Sequence, residues 1–393
     1  MVSKHTTKRS HPLRKAPIRN APIRHTPVRD APIRYAVVGL GHIAQVAVLP
    51  AFAHARGNSR LVAVVSGDRA KRTTIARRYK LAHAYDYDEY EACLQHVDAV
   101  YIALPNSMHA EYTIRAAQAG VHVLCEKPMA VTVEECERMI EACDTHGVKL
   151  MIAYRLHFED VNLKVVDLVR AGTIGEPKFF NSSFSMTVRR GDIRTKQAFG
   201  GGSLYDIGVY CINAARYLFR AEPKEVVAVS VNSGVKALAE IDESTAAILR
   251  FDGERVASFV TSFNAGDVAE YRIVGTKGDI HVDPAYEYAG SLGYAVTVGG
   301  KTQRKTVGKR DQFAPELLHF SDCIRRDRTP EPSGQEGLQD VRIVQALYQS
   351  AETGKAVAIP PFDKPRRPSG RQRIIRPGVR KPALVNVQSA SVD

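Results

Sequence analysis

No two of the six cysteines stand in a C-x-x-C pair. Cys93, Cys125, Cys136, Cys143, Cys211 and Cys323 are scattered, and the helically patterned pair, Cys136 and Cys143, lies too far apart for a disulfide. The chain therefore reads as one carrying buried free thiols in a reducing compartment. No cluster of His, Cys and carboxylates has metal-ligand spacing either, which argues against metal-dependent alcohol chemistry. Long apolar runs are missing: no stretch could span a bilayer, and the first residues lack the apolar core of a secretory signal. Their regular prolines would break the amphipathic helix of an organelle transit peptide, so the expected location is cytoplasmic. Nor is the body of the chain charged. The net charge is +13, but residues 1–34 carry +8 and residues 361–393 carry +6, leaving 35–360 at −1. A basic tail can hold phosphate backbones without specificity, but no nucleic-acid module accompanies these. Neither a membrane nor a specific nucleic acid is an expected partner.

What is present is an ordinary globular composition, 44% hydrophobic and 25% charged over 393 residues, long enough for two domains with their own cores. Four pentads, "APIRN", "APIRH", "TPVRD" and "APIRY", run through residues 16–35. A proline every fifth residue forbids helix and favours an extended arm; at ~3.1 Å per residue, its span to Arg34 reaches roughly 60 Å. It is either a linker or an arm that lies on a partner subunit. From Tyr35 onward, short apolar strands ("YAVVGLG", "LVAVVSG", "DAVYIALP", "HVLCEK", "KLMIAYR") alternate with helical stretches, one opened by the capping box of Thr132 and Glu135. That alternation implies a parallel, doubly wound sheet over 35–155. After residue 156, "KFFNSSFSMTV", "EVVAVSVNS", "STAAILRF", "RVASFVTSF" and "EYRIVG" follow with few helices between them. They imply an α+β domain to 360 with a large, mainly antiparallel open sheet, one face free to pair with a second subunit. Residues 361–393, rich in Pro and Arg, read as a disordered tail.

Gly39-Leu-Gly41-His-Ile-Ala44 closes the first strand and opens a helix. In that position the small residues serve a tight turn, close approach of a pyrophosphate and helix–strand packing, and the helix N-terminus favours the phosphates. The end of the second strand carries Ser66, not a carboxylate, with Arg69, Lys71 and Arg72 behind it. A hydroxyl and cations suit a 2′-phosphate, so the expected cofactor is NADP. Asp68 lies two residues further on and reads as a helix cap. "CEKPMA" puts Lys127 at a strand end on the carboxyl edge of the sheet, where ligands bind. "GGGSLYDIGVY" sets three glycines, free to turn sharply or admit a close neighbour, before Asp206 and Tyr210, which share a helix face at i, i+4.

These residues, with "DAVYIALPNSMHAEYTIRAAQAGVHVLCEKPMA", "YRLHFED" and "GQEGLQDVRIVQALYQSAETGKAV", resemble the Gfo/Idh/MocA oxidoreductases, and within them the glucose–fructose branch. The resemblance implies a Rossmann domain followed by an open-sheet domain, with nicotinamide and sugar meeting between them. It implies catalytic roles for Lys127, Asp206 and Tyr210. For the cofactor it implies contacts from Gly39, Gly41, His42, Ile43, Ser66, Gly67, Lys71, Leu104, Pro105, Asn106, His109, Glu126, Lys127 and Arg155. For the sugar it implies Tyr154, His157 and Arg194 beside the catalytic three. An unperturbed tyrosine titrates near ~10, and a neighbouring ammonium favours a phenolate, which is what oxidation of a hydroxyl asks of a base. A homodimer or homotetramer through the open sheet is expected, as is an arm reaching over a partner's cofactor site. Two departures matter: many relatives have histidine where Tyr210 stands, and the Trp-Arg pair common before the glycines is Ile193-Arg194 in a chain without tryptophan. The expected activity is NADP-dependent oxidoreduction of a sugar hydroxyl at aldose C1, with a ketose as second substrate if the cofactor is retained. The alternative is a catalytically silent NADP-sensing regulator, which the presence of Lys127, Asp206 and Tyr210 disfavours.

Overall fold

In the computed structural model, which describes residues 31–392, the pentads before residue 31 and the terminal Asp393 lie outside the described residues. Six strands pair in parallel in the order β3-β2-β1-β4-β5-β6. They are β1 (Ile33–Val38), β2 (Ser59–Val65), β3 (His83–Tyr85), β4 (Ala99–Ile102), β5 (His122–Glu126) and β6 (Leu150–Ala153). Every residue of β4 and β6 is buried, as expected of strands covered by helices on both faces, and this explains their unbroken apolar runs. The strand order reverses between β1 and β4, so the carboxyl ends of those strands open a crevice. Thr132 and Glu135 form the capping box, and Val133–Thr145 is the helix it opens.

The second sheet has nine strands, in the order β14-β13-β12-β11-β7-β10-β9-β8-β15. These are β7 (Pro177–Thr187), β8 (Glu225–Val231), β9 (Ser244–Phe251), β10 (Arg255–Ser262), β11 (Asn264–Gly275), β12 (Gly278–Val282), β13 (Leu292–Val298), β14 (Lys301–Val307) and β15 (Val357–Ala358). The pairs are antiparallel except β7 with β10. In β9 the period of two is plain: Thr245, Ala247, Leu249 and Phe251 are buried, Ala246, Ile248 and Arg250 exposed. The buried face packs with the helices Asp160–Arg170, Val209–Phe219 and Gly334–Thr353 in one apolar core. Among the described residues nothing covers the other face, which carries apolar residues, Val229 at 62% and Val260 at 49% exposure among them. No helix among the described residues is long and apolar enough to cross a membrane.

The expectation of a disordered tail is corrected. Residues 361–392 have little regular secondary structure but are pinned along their length to the body of the protein. Lys364 is sunk into a buried ion network, donating to Glu331 Oε1 at 2.8 Å and to Glu336. Arg216, fully buried, binds Asp340 at 2.5 Å, Glu222 at 2.6 Å and Glu336 at 2.9 Å in the same network. Arg367 adds a bond to Glu222 and Arg373 one to Asp160. Composition suggested disorder because it registers proline and charge, but not the buried carboxylates that receive these cations.

Candidate active site

A cleft of about 1070 Å³ lies where the carboxyl edge of the parallel sheet meets the second sheet, and it gathers most of the expected site residues in one wall. At its cofactor end Gly39 has φ +92°, and a Cβ there would sit 2.4 Å from the Ala103 carbonyl oxygen. Only glycine satisfies both constraints. Gly41 differs: a Cβ there meets no protein atom within 4 Å, so the cradle beside it is open space facing the cleft. His42 and Ile43 line it as well, and His42 Nε2 is buried without a hydrogen-bond partner. Burial foremost, then the cations Arg194 and Lys381, hold the His42 imidazole below its ordinary value.

Ser66 and Lys71 form the wall beyond the glycines. Asp68 is the cap of the helix Arg69–Tyr79, accepting from the Lys71 amide at 3.0 Å, and its other oxygen accepts from Asn386. Arg72 does not line the cleft; its Nη1 donates to the Ser66 carbonyl and to Asp86. Gly67 stands just outside the wall, where a Cβ would meet the Tyr87 ring at 3.2 Å. Asp68, just past the strand end, is occupied as a helix cap, and with Ser66 and Lys71 both in the wall this end fits a dinucleotide carrying a 2′-phosphate.

Leu104, Pro105 and Asn106 follow β4 into the cleft, and Asn106 Nδ2 donates to the Gly200 carbonyl at 2.8 Å. His109 is fully buried, with Nδ1 2.9 Å from the Pro128 carbonyl and Nε2 2.9 Å from that of Leu104. It sits between the turns at Leu104 and Pro128 and is part of the cleft wall. Glu126, at the end of β5, accepts from Tyr101 at 2.7 Å, and burial foremost raises its pKa.

At the chemical end Lys127 Nζ donates to the Asp206 carbonyl at 2.8 Å and to Asp206 Oδ1 at 3.2 Å. Arg194 Nε donates to Asp206 Oδ2 at 2.7 Å, steadied by Asp192. Burial works against the Asp206 charge, but Arg194 and Lys127 outweigh it and hold the carboxyl at about 2. Burial likewise opposes charge on Lys127, and Asp206, Tyr210 and Glu126 reverse that, leaving the amine above its ordinary value. Tyr210 lies under two cations: Lys127 Nζ is 4.7 Å from its ring centroid, and the Arg155 guanidinium 5.0 Å. Arg155 also donates to the Tyr210 hydroxyl at 3.2 Å, and its other bonds go to Gln312 and the Tyr286 carbonyl.

Asp206 and Tyr210 face one cleft, but not from a regular α-helix. Leu204–Gly208 is π-wound, and the α-helix begins at Val209; such wide turns recur at functional sites. The three glycines before them answer to protein neighbours. A Cβ at Gly201 would meet the Arg194 carbonyl at 2.3 Å, and one at Gly202, where φ is +127°, Asp242 at 2.3 Å. They make the tight turn that delivers Asp206, while Gly200 and Gly201 also line the cleft.

Two expected sugar ligands are not there. Tyr154 and His157 are buried on the far side of the turn Arg155–His157. His157 Nε2 is 2.8 Å from Asn213 Oδ1, and its ring packs on Tyr154 and Tyr217. In a 3₁₀ turn residues i and i+3 share a side, so sending Arg155 into the cleft sends both neighbours out. Sequence reasoning also missed cleft residues. Asp283, Tyr286, Glu287 and Tyr288 come from "DPAYEY", whose aromatic pair after a strand was the available signal, and Lys381, Ser389, Ala390 and Ser391 come from the tail. Nearby, Glu270, His281 and Asp283 bring ligand atoms within 4.8 Å of one another, a grouping invisible in sequence spacing. His281 Nε2 and Glu270 are already paired at 2.7 Å.

Residues 33–154 match the oxidoreductase family with an NAD-binding Rossmann fold, Gfo/Idh/MocA, and residues 162–281 match the Gfo/Idh/MocA C-terminal domain. The chain is 33% identical over 340 residues to a D-xylose 1-dehydrogenase [NADP(+)] of Haloarcula marismortui, covering 83% of this chain and 92% of that protein. An aldose-aldose oxidoreductase of Caulobacter crescentus, solved with glycerol, superposes with a TM-score of 0.80 at 37% identity, over 84% of this chain and 100% of the other. KijD10, a 3-ketoreductase of Actinomadura kijaniata solved with NADP and TDP-benzene, superposes at 0.75 with 26% identity over 81% and 98%. The glycine turn and Lys127 lie in the first matched region and Arg194, Asp206 and Tyr210 in the second, and the chain belongs to the Gfo/Idh/MocA oxidoreductase family.

Proposed function

We propose that this oxidoreductase uses NADP to oxidise a sugar hydroxyl, at C1 of an aldose, and that the cofactor stays bound and is regenerated by reducing a second sugar, a ketose. The observation that carries the reading is the Lys127–Asp206–Arg194 cluster under Tyr210, in the same cleft as the glycine turn and Ser66. NADP, when bound, supplies the hydride acceptor for oxidation and the donor for reduction. Asp206 is ionised at any ordinary pH and neutralised by its partners, so it positions Lys127 and does not move a proton. Lys127 stays an ammonium. The Tyr210 hydroxyl is then the group placed to take the proton from a sugar hydroxyl, and negative charge arriving there meets Lys127 and Arg155. Acid–base help of this kind is worth roughly 10²–10⁴ in rate.

The D-xylose dehydrogenase among the relatives favours a second reading, a dehydrogenase that releases NADPH. Nicotinamide fluorescence of the purified protein separates the two. A rise on glucose and a fall on fructose, with no cofactor added, supports the closed cycle. A rise that appears only with added NADP supports the dehydrogenase, and no signal in either case removes glucose as substrate. The uncovered face of the nine-stranded sheet, with an apolar depression of about 590 Å³ lined by Val227, Val229, Ile248 and Val260, is the surface through which two copies pair. The six cysteines are buried and unpaired, which suits a reducing compartment such as the cytoplasm.

A further inference from the structure

The tail does more than fill a groove. Beyond Lys364 and Arg367, held in the second domain, it passes the first: Arg376 donates to the His54 carbonyl, and the Ala383 carbonyl accepts from Arg78. Val385 then pairs its amide and carbonyl with the Gln45 side chain at 2.9 and 3.0 Å. Gln45 lies one turn into the helix that follows the glycine turn, and Asn386 reaches Asp68 at the end of β2. Within a few residues the chain is back on the second domain. The Ala390 carbonyl accepts from the Arg189 amide at 2.6 Å, the Arg189 side chain donates to the Ser389 and Ser391 carbonyls at 3.2 and 3.3 Å, Ser391 bridges Val188, and the Val392 amide donates to the Thr187 carbonyl. Residues 385–391 therefore cross between domains, a span that six peptide units cover only up to about 20 Å. Between and beside these anchors, Lys381, Ser389, Ala390 and Ser391 form part of the wall that also holds Gly41, His42 and Tyr210.

We propose that residues 381–392 are a strap that keeps the dinucleotide in the cleft, lifting before NADP leaves, with Lys381 supplying a cation to its anionic half. The proposal rests on the NADP reading of the site. Both ends of the crossing are fixed to different domains, so one chain segment joins the two sides of the cleft whose wall it helps to form. The anchors are mostly hydrogen bonds to main chain, and Leu384 and Val385 are only partly buried. A segment so held opens locally far more readily than the protein unfolds, which suits a gate. Lys381 acts on the same end of the cleft as His42, whose imidazole it helps to keep neutral, and that turn is where a pyrophosphate meets the helix N-terminus.

The test is the dissociation rate of NADPH, followed by nicotinamide fluorescence after dilution into a trap of NADP. Full-length protein is compared with a chain ending at Pro377 and with the double variant Lys381→Ala, Arg189→Ala, which leaves the chain intact if truncation harms folding. At least a tenfold faster release from either altered protein, with the melting transition preserved, is the expected result. Release within twofold of the full-length rate from a folded variant overturns the strap. Failure of the full-length protein to bind NADPH overturns the cofactor reading and the strap with it. A second readout needs no turnover: trypsin cleavage after Arg380 slows when NADP is present, and equal cleavage with and without NADP counts against the proposal.

Discussion

Asp206 sits between two cations and has lost the freedom to exchange protons, so the chemistry of the cleft turns on the residue four positions on. Tyr210→Phe removes only the hydroxyl that Arg155 touches. Turnover should fall about 10²–10⁴-fold while NADP binding, measured by fluorescence titration, stays within a few-fold; near-normal turnover sinks the acid–base role. Asp206→Asn is read by stability. The folded carboxyl titrates at about 2, below the unfolded value near ~3.9, so its contribution is complete above about pH 4 and disappears as pH falls through 2. The substitution should cost on the order of 2 kcal/mol at pH 7, and the gap from the parent should shrink in urea melts as the pH is lowered toward 2. A gap that does not depend on pH would place the loss in packing, not charge.

The glycine turn and the π-wound turn show how local backbone sets the site, and they separate what was legible in the sequence from what was not. Gly39→Ala forces a Cβ against the Ala103 carbonyl and should lower the melting temperature by several degrees. Gly41→Ala should leave it nearly unchanged and weaken NADP binding at least tenfold, because the only thing its methyl meets is the cofactor's space. Equal effects on stability would refute that division. The motif itself was readable because strand, turn and helix start each leave a mark in sequence. The six-stranded parallel sheet and the uncovered antiparallel one were readable for the same reason, through unbroken apolar runs in β4 and β6 and the alternation of β9. Tyr154 and His157 were misplaced because a 3₁₀ turn has no sequence signature, and its period of three decides which side chains see the cleft. Tyr286 and Tyr288 were missed because the aromatic pair after β12 marks a loop but not where it goes, and it folds back over Arg155.

Across the molecule, one face of the nine-stranded sheet has no helix over it among the described residues. If two copies pair through this face as proposed, Val229→Lys with Val260→Lys should lower the mass in light scattering to that of one chain while the fold is kept; a mass above one chain that the substitutions leave unchanged would refute pairing through this face. The tail is legible only at this scale, since its cations find carboxylates elsewhere in the chain, Lys364 in Glu331 and Glu336 and the others as far off as Glu222 and Asp160. The edge strand β6 belongs here too. Its outer side is closed by the Pro332 carbonyl, which accepts from the Ile152 amide at 3.3 Å, and by the bridge of Met151 to Ser333. On the ribosome the first sheet is complete about 180 residues before that seal exists, an interval of roughly ten to forty seconds at usual synthesis rates. An open strand edge invites pairing with other chains, so the late segment Pro332–Ser333, by occupying the outer side of β6, removes from the finished protein an edge that the growing chain leaves open.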